Sequence, residues 1–197
     1  MASKQTLILA SASPRRASLL RSVGVEFSII PADIVEVRDP LETPSAYVER
    51  LAREKAQVIF NSLEEQQNTN VVVLAADTTV AMSNEILEKP TGFDDAQRMW
   101  GRLSGAHHDV FTGVCVLSKS NQETIFCCSR VFMDEISSQA MQQYWESGEP
   151  QDKAGAYAIQ GLASAWVNRV EGSFTNIVGL PLFEVNHLLT RYRLNWL

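Results

Sequence analysis

Residues 6–16 have the sequence TLILASASPRR, in which a strand signal is followed directly by a helix start. Thr6–Ala10 is a short apolar run typical of a buried β-strand. Ser13 is a favoured N-cap residue and Pro14 suits the first position of a helix, so we predict a helix from Pro14 to about Gly24. The segment therefore predicts a strand, a short loop and a helix N-terminus, which is the opening unit of an α/β fold.

The remaining sequence continues this alternation of strands and helices. Val71–Ala76 is a continuous apolar run, which predicts a buried strand that ends at Asp77. Thr43 and Pro44 predict the start of a long helix that reaches about Leu63. The other predicted elements are strands at Phe27–Pro31 and Ala165–Val170, hairpins that turn at Ser83–Glu85 and Ser118–Glu123, and helices at Asp94–Leu103, Ser137–Ser147 and from about Pro181. We therefore predict one α/β domain over residues 1–197, with a mixed, twisted sheet and a cleft at strand ends.

Composition and charge exclude several classes of partner. Of the 197 residues, 45% are hydrophobic and 20% are charged, and no apolar run approaches the ~20 residues that span a bilayer. The N-terminal residues lack the long apolar region of a signal peptide, so we expect a soluble cytoplasmic protein with no membrane partner. A net charge of -6 argues against a polynucleotide partner, but a small anionic ligand needs only a local cluster of cations.

The cysteines predict structural rather than metal-binding roles. Cys115, Cys127 and Cys128 are an odd number of thiols in a chain with no secretion signal, so we expect them to be reduced. Because Cys127 and Cys128 lie in an apolar run, we interpret them as small buried residues. The histidines have no partners at ligand spacing, and a zinc site is not expected.

Two arginines at the start of the first helix are candidates for binding an anion. Arg15 and Arg16 follow Ser13 at a predicted helix N-terminus, where free N–H groups and the helix dipole favour negative charge. A guanidinium there adds bidentate donors for phosphate. The alternative is an ordinary capped helix whose arginines are solvated.

Lys55 lies on the wrong face of its helix for a solvated lysine. It shares the spacing of Leu51, Ala52 and Ile59, which form the apolar stripe of the helix. A lysine placed there needs an anionic partner. The alternative is a long stem that extends past the edge of the core to reach water.

Asp77 follows six apolar residues, at the position where open α/β sheets place their ligand crevice. A carboxylate at this point can hold Mg²⁺ or accept a proton from water. It can also cap a turn through its own backbone. Lys89, after a predicted hairpin, and Lys153, in a glycine-rich loop, offer further loop-borne cations.

A set of ordered motifs resembles the Maf family of nucleotide pyrophosphatases, and the resemblance extends from about Leu7 to Leu189. The motifs are Ser11–Arg16, Arg53–Lys55, Ala76–Thr78, Leu87–Pro90, Leu103–Gly105, Phe111–Val114, Asp152–Tyr157, Ile159–Gly161 and Val178–Leu182. The resemblance implies a Maf/inosine-triphosphatase-like α/β fold, in which an elongated, twisted mixed sheet separates two lobes around a nucleotide cleft. It also implies a homodimeric nucleoside triphosphate pyrophosphatase that uses a divalent cation, Mg²⁺ or Mn²⁺.

The resemblance assigns roles to individual residues. The catalytic acidic residue of the family corresponds to Asp77, which is a base, a metal ligand or both. A second metal-binding acid corresponds to Glu36, with Asp33 as a residue that can share this role. The phosphate-binding positions correspond to Ser13, Arg16, Lys55 and Lys89.

Three positions that differ between subgroups of the family point to the substrate. They correspond to Arg15, Thr78 and Gln160, and this combination resembles the subgroup that hydrolyses dTTP and UTP. A neutral Gln offers a donor and an acceptor to a uracil or thymine edge, whereas a carboxylate only accepts. The alternatives are a 7-methyl-GTP pyrophosphatase, a nucleotide-binding regulator of septum formation, and a structural or interaction domain.

Overall fold

A computed structural model describes residues 5–63 and 70–194 as an α/β fold, and the predictions for the other residues lie outside this part of the chain. The strands are β1 (Thr6–Leu9), β2 (Ser28–Ile29), β3 (Val71–Met82), β4 (Glu85–Leu87), β5 (His107–Ser118), β6 (Gln122–Met133) and β7 (Val167–Glu171). The α-helices are α1 (Pro14–Ser22), α2 (Pro44–Ser62), α3 (Phe93–Leu103), α4 (Ser138–Glu146), α5 (Phe174–Val178) and α6 (Leu182–Arg191).

The strands form one mixed sheet in the order β2-β1-β3-β5-β6-β7, and β4 also pairs with β3. The pairs of β1 with β2 and with β3 are parallel, whereas the pairs formed by the later strands are antiparallel. β3, β5 and β6 have 12 residues each, which corresponds to about 40 Å of strand. The predicted elongated mixed sheet of the α/β class is confirmed.

Helices cover the long strands differently at their two ends. Around the first half of β3, α2 packs on one face of the sheet, and α1 and α6 pack on the other. Around the second half of β3, α3 and α4 pack with Val80, Val110 and Val131 in a separate core. The long strands therefore connect two lobes, as expected.

One edge of β3 is open between the two lobes. β5 occupies the other edge along most of the strand. On the open edge, β1 pairs with Val71–Leu74 and β4 pairs with Val80–Met82. Ala75–Thr79 has no strand partner on this edge among the described residues. Because the sheet is interrupted here, side chains from both of its faces can reach the same opening.

The prediction that the buried strand ends at Asp77 is wrong, since β3 continues to Met82. The backbone at Asp77 is opposite Gly113 of β5, and the pairing extends through Thr78 and Thr79. Threonine is β-branched and favours strands, so the change from apolar to polar side chains marks a change of environment rather than the end of an element. The carboxylate thus projects from the middle of a strand, beside the break in its neighbours.

Other elements differ in their bounds from the prediction. β2 is limited to Ser28–Ile29 of the predicted Phe27–Pro31. Leu162–Trp166 forms a 3₁₀ helix, so the predicted strand from Ala165 begins at Val167. The short helix α5 was not predicted, because its five residues are too few to show a helical period.

The cysteine prediction is partly wrong. The thiols of Cys115, Cys127 and Cys128 are free, and Cys115 is buried as expected. However, Cys127 is half-buried and Cys128 is exposed. Adjacent residues of a strand point to opposite faces of the sheet, so Cys127, whose Sγ is 3.6 Å from Glu184 Oε1 of α6, and Cys128 have different surroundings.

Candidate active site

A cleft of about 740 Å³ opens at the break in the sheet. It is bounded by the loop before α1, the middle of β3, the end of β4 and the loop after α4. Every site residue predicted from the sequence lines this cleft. They are Ser13, Arg15, Arg16, Glu36, Lys55, Asp77, Thr78, Lys89 and Gln160. Asp33, the alternative to Glu36, is exposed and is absent from the lining.

A lysine between two carboxylates forms the acidic side of the cleft. Lys55 Nζ donates to Asp77 Oδ1 at 2.7 Å and contacts Glu36 Oε1 at 2.5 Å. Lys55 and Asp77 are 8% and 7% exposed, so this ion pair is buried, whereas Glu36 is on the rim. Lys55 therefore has the anionic partner that its position on the apolar face of α2 requires.

The close approach of α2 to the sheet places Lys55 over Asp77. Gly113 lies opposite Asp77 in the register of β3 and β5. A Cβ atom at Gly113 would lie 2.2 Å from the Val48 carbonyl oxygen of α2. No side chain fits in that space, so the helix can approach this closely only over a glycine.

The two carboxylates differ in their proton affinity. Burial raises the pKa of Asp77, and the charges of Lys55 and Arg16 oppose this rise without cancelling it. Burial alone would also raise the pKa of Glu36, but the hydrogen bond and charge of Lys55, together with the charges of Lys89 and Arg16, outweigh it and the net pKa is lowered. Asp77 is therefore the better proton acceptor of the two.

Arg16 is held by three hydrogen bonds to the protein. Its Nε donates to the Gly179 carbonyl at 2.8 Å, Nη1 to Ser11 Oγ at 3.2 Å, and Nη2 to Thr78 Oγ1 at 3.1 Å. A guanidinium has five N–H groups, so one remains on each terminal nitrogen. These two N–H groups are available to an anion in the cleft.

The orientation of the Thr78 hydroxyl follows from its neighbours. Thr112 Oγ1 donates to the Asn176 carbonyl at 3.0 Å, since a carbonyl can only accept. Thr112 must then accept from Thr78, whose Oγ1 is 2.9 Å away. The donors therefore run in one direction, from Arg16 to Thr78 to Thr112 to the Asn176 carbonyl. Thr78 has no second proton to offer a nucleotide, and its hydroxyl positions Arg16.

The remaining predicted residues lie around the rim. The Ser13 N-cap position is confirmed, but the Ser13 side chain makes no capping hydrogen bond, and the Ser13 N–H donates to Ser11 Oγ at 3.2 Å. Arg15 is half-buried, while Lys89 and Gln160 are exposed. Lys89 and Gln160 are thus accessible to a ligand in the cleft, and Arg15 is partly accessible.

The structure adds two tyrosines that the sequence interpretation missed. Tyr47 of α2 lines the cleft, and burial together with Asp77 and Glu36 raises its pKa to about 12. Tyr157 lines the opposite side, where its hydroxyl lies 2.7 Å from His108 Nε2. Tyr47 has the helical spacing of an ordinary core residue, and Tyr157 ends the motif Asp152–Tyr157 but was given no role of its own.

Comparison with known proteins finds similarity over nearly the whole chain. The family model for Maf-like proteins matches residues 6–192. The chain is 50% identical to the dTTP/UTP pyrophosphatase of Hahella chejuensis over 189 residues, which cover 96% of this chain and 93% of that protein. It is 46% identical to the dTTP/UTP pyrophosphatase of Pseudoalteromonas atlantica over 188 residues, which cover 95% and 97% of the two chains. None of the described helices has the length and apolar character needed to cross a membrane.

Proposed function

Since this chain belongs to the Maf-like protein family, we propose that it hydrolyses dTTP and UTP to the nucleoside monophosphate and pyrophosphate. Triphosphates of modified pyrimidines are included in the proposed substrate class. The relatives named above are dTTP/UTP pyrophosphatases, and the identity extends over nearly the whole chain.

The observation that supports this proposal best is the charge pattern of the cleft. Arg15, Arg16, Lys55 and Lys89 line the same opening as the buried carboxylate of Asp77. With Lys153 the lining has five basic side chains against four acidic ones, whereas the whole protein has a net charge of -6, so cations are concentrated at the cleft. A triphosphate is an anion that such a group can bind, and Asp77 is available for chemistry on it.

In the proposed reaction, a water oxygen attacks the α-phosphorus and the bond to the pyrophosphate oxygen breaks. Asp77 accepts the proton of the attacking water, and its raised pKa makes it a stronger base than an ordinary aspartate. Arg16, Lys55 and Lys89 balance the charge that develops on the departing pyrophosphate. No covalent intermediate is required.

A divalent cation, Mg²⁺ or Mn²⁺, fits the acidic side of the cleft. Asp77 and Glu36 converge on one ammonium, so their combined charge exceeds what Lys55 neutralises. The described residues contain no group of three or more His, Cys, Asp or Glu able to hold a metal. Mg²⁺ is commonly held by one or two carboxylates together with substrate phosphates, so we propose Asp77 and Glu36 as its protein ligands. When bound, such an ion withdraws negative charge from phosphate oxygens.

The nucleobase of the substrate is proposed to lie near the exposed side chain of Gln160. The amide of this residue offers both a donor and an acceptor to a uracil or thymine edge. Arg15 is proposed to contact the substrate from the α1 side, and Ser13 to contribute at the helix start. We further propose that the enzyme acts in the cytoplasm as a homodimer. The free thiols of the described residues fit a reducing compartment, and sedimentation of the purified protein tests the dimer.

A nucleotide panel tests the reaction and the substrate together. The purified protein is incubated with Mg²⁺ or Mn²⁺ and with dTTP, UTP, CTP, ATP, GTP or 7-methyl-GTP, and the products are separated. We expect pyrophosphate and monophosphate, with dTTP and UTP preferred over the purine nucleotides by ~10²-fold. A preference for 7-methyl-GTP contradicts the substrate, release of orthophosphate and diphosphate contradicts the reaction, and binding without turnover supports a regulator.

A further inference from the structure

The side chains of Tyr144 and Glu149 form hydrogen bonds to the backbone on both sides of the turn that carries Gln160. The backbone forms a turn in which the Gly161 N–H donates to the Ala158 carbonyl at 3.1 Å. Ile159 and Gln160 occupy the middle of this turn, and both line the cleft. The position of the turn therefore decides where the Gln160 amide lies relative to a bound base.

Tyr144 and Glu149 are hydrogen-bonded to each other and to the backbone around the turn. Tyr144 Oη donates to Glu149 Oε1 at 2.7 Å and accepts from the Ala158 N–H at 3.1 Å. Glu149 Oε2 accepts from the Leu162 N–H at 3.1 Å. These hydrogen bonds hold Ala158, the first residue of the turn, and Leu162, the residue that follows the turn. Neither Tyr144 nor Glu149 lines the cleft itself.

The Glu149 carboxylate also lies directly against the turn. A Cβ atom at Gly161 would be 2.0 Å from Glu149 Oε2, so only glycine leaves room for the carboxylate at this distance. Because Gly161 has no side chain, the Glu149 carboxylate can lie against the turn.

Aromatic packing fixes the tyrosine end of the pair. The Tyr144 ring packs against Trp100 at a centroid distance of 5.4 Å and against Trp166 at 5.0 Å. Trp100 Nε1 donates to the Ala156 carbonyl at 2.8 Å, which ties the chain entering the turn to the same cluster. Tyr144 is buried, so its hydroxyl has little freedom to form other hydrogen bonds.

We propose that Tyr144 and Glu149 are positioning residues for nucleotide selection, acting through the turn at Ala158–Gly161. This inference rests on the proposed function, because it assigns base recognition to Gln160. Tyr144 and Glu149 hold the backbone that carries the Gln160 amide at one distance from the edge of the nucleobase. A nucleobase with a different pattern of donors and acceptors then leaves polar groups unpaired. Loosening the turn is expected to lower discrimination more than turnover, since Asp77, Arg16 and Lys55 lie on other elements.

Conservative substitutions with matched controls test this proposal. Tyr144→Phe removes only the hydroxyl, and Glu149→Gln removes an acceptor and the charge. The controls are Tyr192→Phe, whose hydroxyl donates to the Val116 carbonyl at 3.0 Å away from the cleft, and Glu123→Gln, whose carboxylate contacts Arg191 on the surface. For each protein, kcat and KM are measured over the panel of triphosphates, together with the unfolding midpoint.

The expected result, in Tyr144→Phe and Glu149→Gln, is a fall of ~10-fold in the ratio of kcat/KM for the best substrate to kcat/KM for the best nucleotide whose base has a different hydrogen-bonding edge. The kcat for the best substrate changes less, and the controls keep the ratio of the unmodified protein. An unchanged ratio in both variants, or an equal fall in the controls, overturns the proposal. The preferred nucleotide of the unmodified protein tests the proposed function separately, because the ratio is defined whichever nucleotide is best.

Discussion

Lys55 Nζ and Asp77 Oδ1 are 2.7 Å apart, although one residue is on helix α2 and the other is in the middle of strand β3. Both are buried, so the pair has few water molecules to compete with it. The lysine lowers the cost of keeping a carboxylate in this environment, and a bound triphosphate brings phosphate oxygens that compete for the same ammonium.

Replacement of Asp77 by Asn is expected to reduce turnover by ~10²-fold or more, because it removes the proton acceptor and a proposed metal ligand while keeping the shape of the side chain. The measurement is steady-state kinetics at several metal concentrations. Asp109→Asn is the matched control, since Asp109 is on neighbouring β5 and pairs with Arg130 outside the main cleft. Near-normal turnover of Asp77→Asn with an unchanged metal requirement contradicts the role given to Asp77.

Replacement of Lys55 by Met is expected to move the acid limb of the pH–rate profile to higher pH. The lysine opposes the rise in the Asp77 pKa caused by burial, so its loss lets that pKa rise further. Because a base acts only when deprotonated, activity then appears at higher pH. The rate is measured against pH for both proteins, and a limb that stays in place or moves to lower pH would show that Lys55 does not govern Asp77.

The stability of Lys55→Met should also depend on pH, in the direction opposite to its activity. In this variant the folded state binds the Asp77 proton more tightly than the unfolded chain does, so the free energy of unfolding falls as pH rises through the raised pKa. Denaturant titrations at several pH values measure it. Adding Asp77→Asn to Lys55→Met should remove this dependence, because no carboxyl group is then left at the position.

Replacement of Thr112 by Val is expected to reduce kcat/KM by ~10-fold, because it removes the acceptor that orients the Thr78 hydroxyl beneath Arg16. Thr112 is fully buried and valine has the same shape, so the fold should persist. Thr112→Ser is the matched control, because serine retains the hydroxyl and the variant should therefore keep most of the activity. Equal losses in the Val and Ser variants would indicate a packing role for Thr112 rather than a role in positioning Arg16.

Replacement of Gly113 by Ala is expected to lower the free energy of unfolding by about 1–3 kcal/mol, because the new methyl group collides with the α2 backbone at Val48. The displaced helix should also move Lys55 away from Asp77 and reduce activity. Gly101→Ala is the matched control. Gly101 is within α3 with no atom near a Cβ position, so alanine there should be neutral or stabilising. Chemical denaturation of both variants measures the difference, and equal stability of the two would contradict the close approach.

The sequence by itself determined the type of fold. Its local patterns singled out Arg16, Lys55 and Asp77 as candidates, whereas Glu36, Thr78 and Gln160 came from the family resemblance. The apolar run before Asp77 and the capped start at Ser13 are local patterns that depend on side-chain period and helix capping. Lys55 stood out because one charged residue interrupted a periodic apolar face, and the structure gives it a buried partner. Such patterns are visible in a linear sequence because they repeat within a few residues of each other.

Only the tertiary structure decided how these residues meet. The open edge at Ala75–Thr79 arises from where β1 and β4 stop, which is a property of strand pairing between distant segments. The distance from Lys55 to Asp77 depends on a contact of Gly113 with α2, and the direction of the Thr78 hydroxyl depends on Thr112. Hydrogen-bond direction and close packing are set by atoms far apart in the sequence, and therefore no local pattern encodes them.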